Sequence, residues 1–130
     1  MVKTLKVLLI IYGVMLILLG LGDIFMPEQA AVMFDVADIS DFAKFVGAAL
    51  GAIYIAAGVW LLFASVDPLR NINMVRFVIT KAILSIAVII YANTVGLIDL
   101  TIFGYSMLIV DAILAILFLI AYPWRKANSS

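Results

Sequence analysis

The sequence predicts an all-α protein whose four transmembrane helices pack as an up-down bundle. Three observations carry that prediction. The 130 residues are 68% hydrophobic and 12% charged, against about 45–50% apolar and about 25% charged in an ordinary soluble domain. The apolar residues gather into four runs, each long enough to cross about 30 Å of hydrocarbon at about 1.5 Å per residue. Within each run they surround the helix instead of lining one face, so a soluble bundle of this size would have nowhere to bury them.

Residues 1–130 read as a single integral membrane domain. The first run, Leu5–Phe25, follows Lys3 and Lys6 and exceeds the apolar core of a signal peptide. Pro27 stops it, because proline cannot donate the next helical hydrogen bond. From Pro27 to Lys44 runs the one long connection, carrying Glu28, Asp35, Asp38 and Asp41 among apolar residues. Pro27 and Glu28 suit a first helical turn, which predicts a short interfacial helix reaching about Phe34. Ser40 or Asp38 can cap the second run, Phe45–Val66. Asp67-Pro68-Leu69-Arg70-Asn71 is a turn signature, and the third run, Phe77–Ile98, follows it. A very short connection around Asp99 makes the fourth run, Ile102–Tyr122, the antiparallel neighbour of the third.

Charge placement predicts orientation. With the amino terminus inside, the inner segments hold Lys3, Lys6, Arg70, Arg76, Arg125 and Lys126, and the outer segments hold only Lys44. For loops this short that is a strong positive-inside bias, so both termini are expected on the cytoplasmic face of the cell membrane. Tyr122, Trp124 and Trp60 fall at the inner interface, and Phe42, Phe103 and Tyr105 at the outer one, where aromatic belts form.

In the second run Gly47, Gly51 and Gly58 lie within about 40° of one another on a helical projection, with Tyr54 in the same stripe. Ala48, Ala52 and Ala56 line a neighbouring face. Small residues let helix backbones approach closely in lipid, so two such faces predict that this helix is the central one. The glycine stripe then packs within the bundle, or against a second copy or a larger membrane complex.

Two charges stand inside the apolar runs. Asp111 lies near the middle of the fourth, where a carboxylate costs at least about 2.5–3.5 kcal/mol, so it should face the bundle and be partnered or protonated. Lys81 is 17 residues from the outer end of the third run, and Asp111 is 9 from the outer end of the fourth. That offset is about 12 Å in depth, and side chains on antiparallel helices lean apart there. Lys81 is therefore expected to snorkel to the cytoplasmic interface. Tyr54 and Tyr91 match the depth of Asp111, with Asn93 slightly further out. Asp35, Asp38 and Asp41 lack the glycine and ligand spacing of a calcium loop and read as a solvated rim. No metal or other cofactor is expected.

Pro27 after the first run, a connection ending in Lys44, the segment Phe45-Val46-Gly47-Ala48-Ala49-Leu50-Gly51 continuing to Gly58, and Asp67-Pro68-Leu69-Arg70 form one layout. In it the chain resembles the BphX-like and DoxX-like families of small four-span membrane proteins. That resemblance implies a four-helix bundle of undefined molecular role and assigns no site residues.

Function is narrower by exclusion than by assignment. Without Cys or His the chain lacks thiolate chemistry and the usual proton shuttle. No nucleophile, base and orienting group converge at one depth, so an enzyme is not expected. Eight basic and eight acidic residues balance, and the partner expected is the lipid bilayer, not nucleic acid. Two readings stand: a non-catalytic structural or accessory membrane component, and a small oligomeric proton- or cation-coupled transporter using Asp111. A dry, packed bundle would favour the first, and a cavity reaching Asp111 the second.

Overall fold

Local chemistry sets the limits of each helix. A computed structural model describes residues 2–32 and 38–124. The expectations placed on Phe34, Asp35, Arg125, Lys126 and the side chain of Phe103 lie outside the described residues. Helix α1 spans Val2–Phe25 and closes when the Met26 amide donates to the Gly22 carbonyl at 2.7 Å. Pro27 opens α2, Pro27–Val32, in the first-turn position where its missing N–H costs nothing. Helix α3, Asp41–Ala64, is capped by Ser40, whose side chain accepts from the Ala43 amide at 3.1 Å.

The turn after α3 is held by Asp67, whose carboxylate accepts from the Arg70 amide at 3.2 Å and whose carbonyl accepts from the Asn71 side chain at 2.9 Å. Helix α4 follows as Ile72–Thr94. It ends where Gly96 takes a φ of +79° and the Leu97 amide reaches back to the Ala92 carbonyl at 2.9 Å. That wrapped ending needs a residue without a Cβ. Asn93 accepts from the Leu100 amide at 3.3 Å, and Thr101, accepting from the Gly104 amide at 3.3 Å, starts α5, Ile102–Ala121.

The four long helices are each apolar and long enough to cross a membrane, and the described residues contain no strand. They alternate in direction, so one end of the bundle gathers Val2, Ala64, Ile72 and Ala121 and the other gathers Phe25, Asp41, Thr94 and Ile102. We call these the base and the mouth. Leu18, Ile53, Phe63, Leu84, Ile113 and Ile120 are among the large apolar side chains left on the outside, a surface that suits lipid and not water. Trp60 and Trp124 are exposed toward the base, and Phe42 and Tyr105 toward the mouth.

Three expectations are corrected here. The third span begins at Ile72 and ends at Thr94, earlier at both ends than Phe77–Ile98. Arg76 is inside the helix because its guanidinium donates to the Tyr122 hydroxyl at 2.7 Å and to Asn73 at 3.2 Å; a partnered arginine at a helix end need not mark a loop. The connection to α5 consequently takes residues 95–101. The central helix is α1, not α3. It packs against both α3 and α5, whereas α3 makes its extensive contact with α1 alone and leaves Ala52 and Ala56 exposed.

The α1–α3 contact is also shared differently along the stripe. A methyl at Gly58 would meet the Gly13 carbonyl oxygen at 2.5 Å, and one at Gly51 the Gly20 carbonyl oxygen at 2.6 Å, with Gly13 and Gly20 facing them reciprocally. Only glycine permits backbones that close. Gly47 has nothing near the space a Cβ would fill, because it lies more than a turn beyond Gly51 toward the mouth, where the two helices no longer touch at that face.

Candidate functional site

Four polar side chains stand at nearly one level. Tyr12 is ten residues from the base end of α1, Lys81 nine from that of α4, Tyr54 ten from that of α3, and Asp111 ten from that of α5 (12−2, 81−72, 64−54, 121−111). At about 1.5 Å per residue their backbones differ in depth by only a residue's rise.

Lys81 therefore does not snorkel to the base. Its ammonium donates to the Tyr12 hydroxyl at 3.1 Å and lies 5.4 Å from the Tyr12 ring centre and 4.9 Å from that of Tyr54. The Tyr12 hydroxyl and the Tyr54 ring stand in for part of the water around this cation, a cation–π contact reaching about 2 kcal/mol when desolvated. The corrected start of α4 removes most of the depth offset that had separated Lys81 from Asp111. Tyr12 buttresses the arrangement from below, its ring edge-on to Phe118 at 6.0 Å and 79°.

Above this level the helices part around a cavity of about 370 Å³, at the small end of the about 300–1,000 Å³ usual for small-molecule sites. Lys81, Asp111 and Tyr54 border its deep end; Asp23, on α1, and Ser85, on α4, add polar groups along it. Met26, Gln29 and Ala30 border it toward the mouth, so α2 forms its upper wall. Lys44 on α3 pairs with Glu28 on α2 at 2.9 Å and fastens that wall to the bundle.

Asp111 is 8% exposed as a residue, and no hydrogen bond or ion pair joins it to another described residue, so its carboxyl oxygens open onto the cavity. It faces the bundle, and its neighbour across the cavity is Lys81, at electrostatic and not contact range. The other proposed companions are divided. Tyr54 shares the cavity. Tyr91 is 63% exposed on the outside of α4, and Asn93 is occupied in the α4–α5 connection; neither reaches Asp111, because α4 ends at Thr94 and so places both within a turn of the mouth. Gly51 and Gly58 hold α3 against α1, which fixes Tyr54 between them.

Four polar members of the site, Tyr12, Asp23, Gln29 and Ser85, were not singled out from the sequence. A charge within the first apolar run was the signal for Asp23. For Tyr12 the signal was depth counted from the base ends of the helices.

Chemically, the site places two carboxyls, one ammonium and several hydroxyl or amide groups on an apolar-walled cavity between membrane-crossing helices. That defines the class: a bundle of four helices long and apolar enough to cross a membrane, with an apolar-walled, charge-bearing cavity running from mid-depth toward the mouth. No family model, curated protein or solved structure matches the chain.

Proposed function

We propose that this protein is a small membrane transporter that binds its solute in the mouth-side cavity and couples binding to a proton or cation through Asp111. The observation that carries this reading is Asp111, a residue 8% exposed that has no hydrogen bond or ion pair among the described residues and opens onto a cavity between the long apolar helices. A structural acid should be hydrogen-bonded. One kept bare, at a cost of about 2.5–3.5 kcal/mol, is the pattern of a group that changes partner during function. The cavity also favours transport over the accessory reading, for which a dry bundle would serve.

In this reading the mouth faces outside and both termini are cytoplasmic, as the six-to-one basic bias implies. Transport by an oligomer would use the exposed Ala52 and Ala56 face of α3 for the second copy. No step calls for a catalytic group.

The natural chain contains no cysteine, so Ser85→Cys gives a clean probe of the cavity. A membrane-impermeant maleimide should label it in spheroplasts and not in inverted vesicles, while Leu84→Cys, on the lipid side, stays unlabelled in both. Labelling only in inverted vesicles would keep the cavity and reverse the orientation. Absence of labelling in either would remove the transport reading. Proteoliposomes carrying the wild type should show dye-reported proton or cation flux that Asp111→Asn abolishes.

A further inference from the structure

The charges on the cavity do not balance. Among the described residues, Asp23 and Asp111 border it against Lys81 alone, so these three leave one positive charge missing when all are ionised. The deficit is sharper than the count suggests, because the Lys81 ammonium already serves the Tyr12 hydroxyl and the Tyr54 ring. An anionic solute would have to pull it from those contacts. A cationic one would meet Asp111, which is 8% exposed and has no hydrogen bond or ion pair among the described residues.

We infer that the cavity takes a small organic amine in its ammonium form, anchored by the Asp111 carboxylate, with its apolar body against the cavity's aliphatic walls. The inference rests on reading the cavity as a solute site.

Three further observations select this chemistry. Ionised carboxylates accept hydrogen bonds and cannot donate, so two of them on one cavity, Asp111 buried and Asp23 half-buried, ask for N–H donors; a primary or secondary ammonium has these and a quaternary one does not. Leu18, Leu19, Met26, Ile89 and Met107 make up much of the remaining wall. Such a wall offers nothing to a hard divalent ion wanting about six to eight oxygens. The described residues also hold no group of three acids or other ligands able to grip a metal. The volume of about 370 Å³ admits a single-ring or short-chain molecule. Because the Tyr54 ring is occupied by Lys81, the ligand's charge is met by the carboxylate and not by an aromatic cage.

The test uses the full chain in lipid nanodiscs and isothermal titration with benzylamine, benzyl alcohol, benzoate and potassium chloride. Benzyl alcohol keeps the ring and the size and lacks the charge. Benzylamine should bind saturably, and benzyl alcohol at least about ten-fold more weakly, the scale of one charge-assisted hydrogen bond. Asp111→Asn, checked for monodisperse elution, should weaken benzylamine by a similar factor and leave benzyl alcohol unchanged. Equal binding of amine and alcohol by the wild type would overturn the inference without any variant. So would tighter binding of benzoate, or displacement of benzylamine by potassium at equal concentration. Labelling of Ser85→Cys in the same nanodiscs separates the two failures: a labelled cavity that ignores benzylamine rejects the ligand class alone, whereas an unlabelled one rejects the cavity as a solute site.

Discussion

At the base of the bundle Tyr12, Leu61, Val75, Val78 and Phe118 close on one another with no exposed surface. Toward the mouth the same helices part around Asp23, Ser85 and Asp111. The helices do not change character between the two regions; α5 supplies Phe118 to one and Asp111 to the other, two turns apart on one stripe. What changes is the partner. The base brings α1, α3, α4 and α5 into one apolar cluster, whereas toward the mouth Gly20 on Gly51 still holds α1 and α3 together while the cavity opens beside them. A bundle clamped at one end can hold a cavity at the other without losing its fold, and the polar groups can then be chosen for binding instead of cohesion.

If that division is right, the largest loss of stability should come from the base. Phe118→Ala removes a fully buried ring that also meets Tyr12 edge-on, and should cost about 3–5 kcal/mol. Met107→Ala, on the cavity wall, enlarges space that is already open and should cost less than about 1 kcal/mol. Thermal unfolding in detergent distinguishes them. Similar losses would mean that the mouth is packed as tightly as the base.

A smaller effect, of about 1–3 kcal/mol, is expected from overfilling the α1–α3 contact. Gly51→Leu must push the helices apart against the Gly20 carbonyl, while Ile55→Leu keeps side-chain volume. Gly47→Ala is the sharper control. Its Cβ would meet nothing, and alanine is the better helix former by about 1 kcal/mol, so this variant should unfold at or above the wild-type temperature. Destabilisation by Gly47→Ala equal to that by Gly51→Leu would show that the glycine contact extends to the mouth.

The base and the mouth also differ in how far the sequence discloses them. Four helices follow from apolar runs that no other fold could bury, and Ser40 and Pro27 mark helix starts by chemistry that is local. The α1–α3 clamp was half legible. Gly51 and Gly58 stand seven apart, and so do Gly13 and Gly20; two equal intervals on antiparallel neighbours fix the register, since 13 pairs with 58 as 20 pairs with 51. A stripe read on one helix alone also admits Gly47, which has no counterpart. The site was least legible because it depends on depth, and depth depends on where α4 begins. Arg76 reads as a loop residue until its partner Tyr122, 46 positions away, is known. Moving that boundary brings Lys81 to the level of Asp111 and carries Tyr91 and Asn93 away from it.

Asp111 should give the smallest stability change of all, and that is what would set it apart from the base. Had it been hydrogen-bonded to a tyrosine, Asp111→Leu would strand the hydroxyl at a cost of about 1–3 kcal/mol. No such bond is present among the described residues, so nothing is left stranded, and leucine removes a carboxyl that burial disfavours. Its loss does withdraw a negative charge from across the cavity, which Lys81 offsets through its contacts with Tyr12 and Tyr54. The two effects oppose, and both Asp111→Asn and Asp111→Leu should unfold within about 1 kcal/mol of the wild type while losing coupled flux. A residue that can be replaced without harm to the fold, yet stands bare where a charge is costly, is held for function and not for cohesion. Thermal unfolding of Asp111→Leu resolves it: a loss as large as that of Phe118→Ala would make Asp111 part of the clamp and return the protein to the accessory reading.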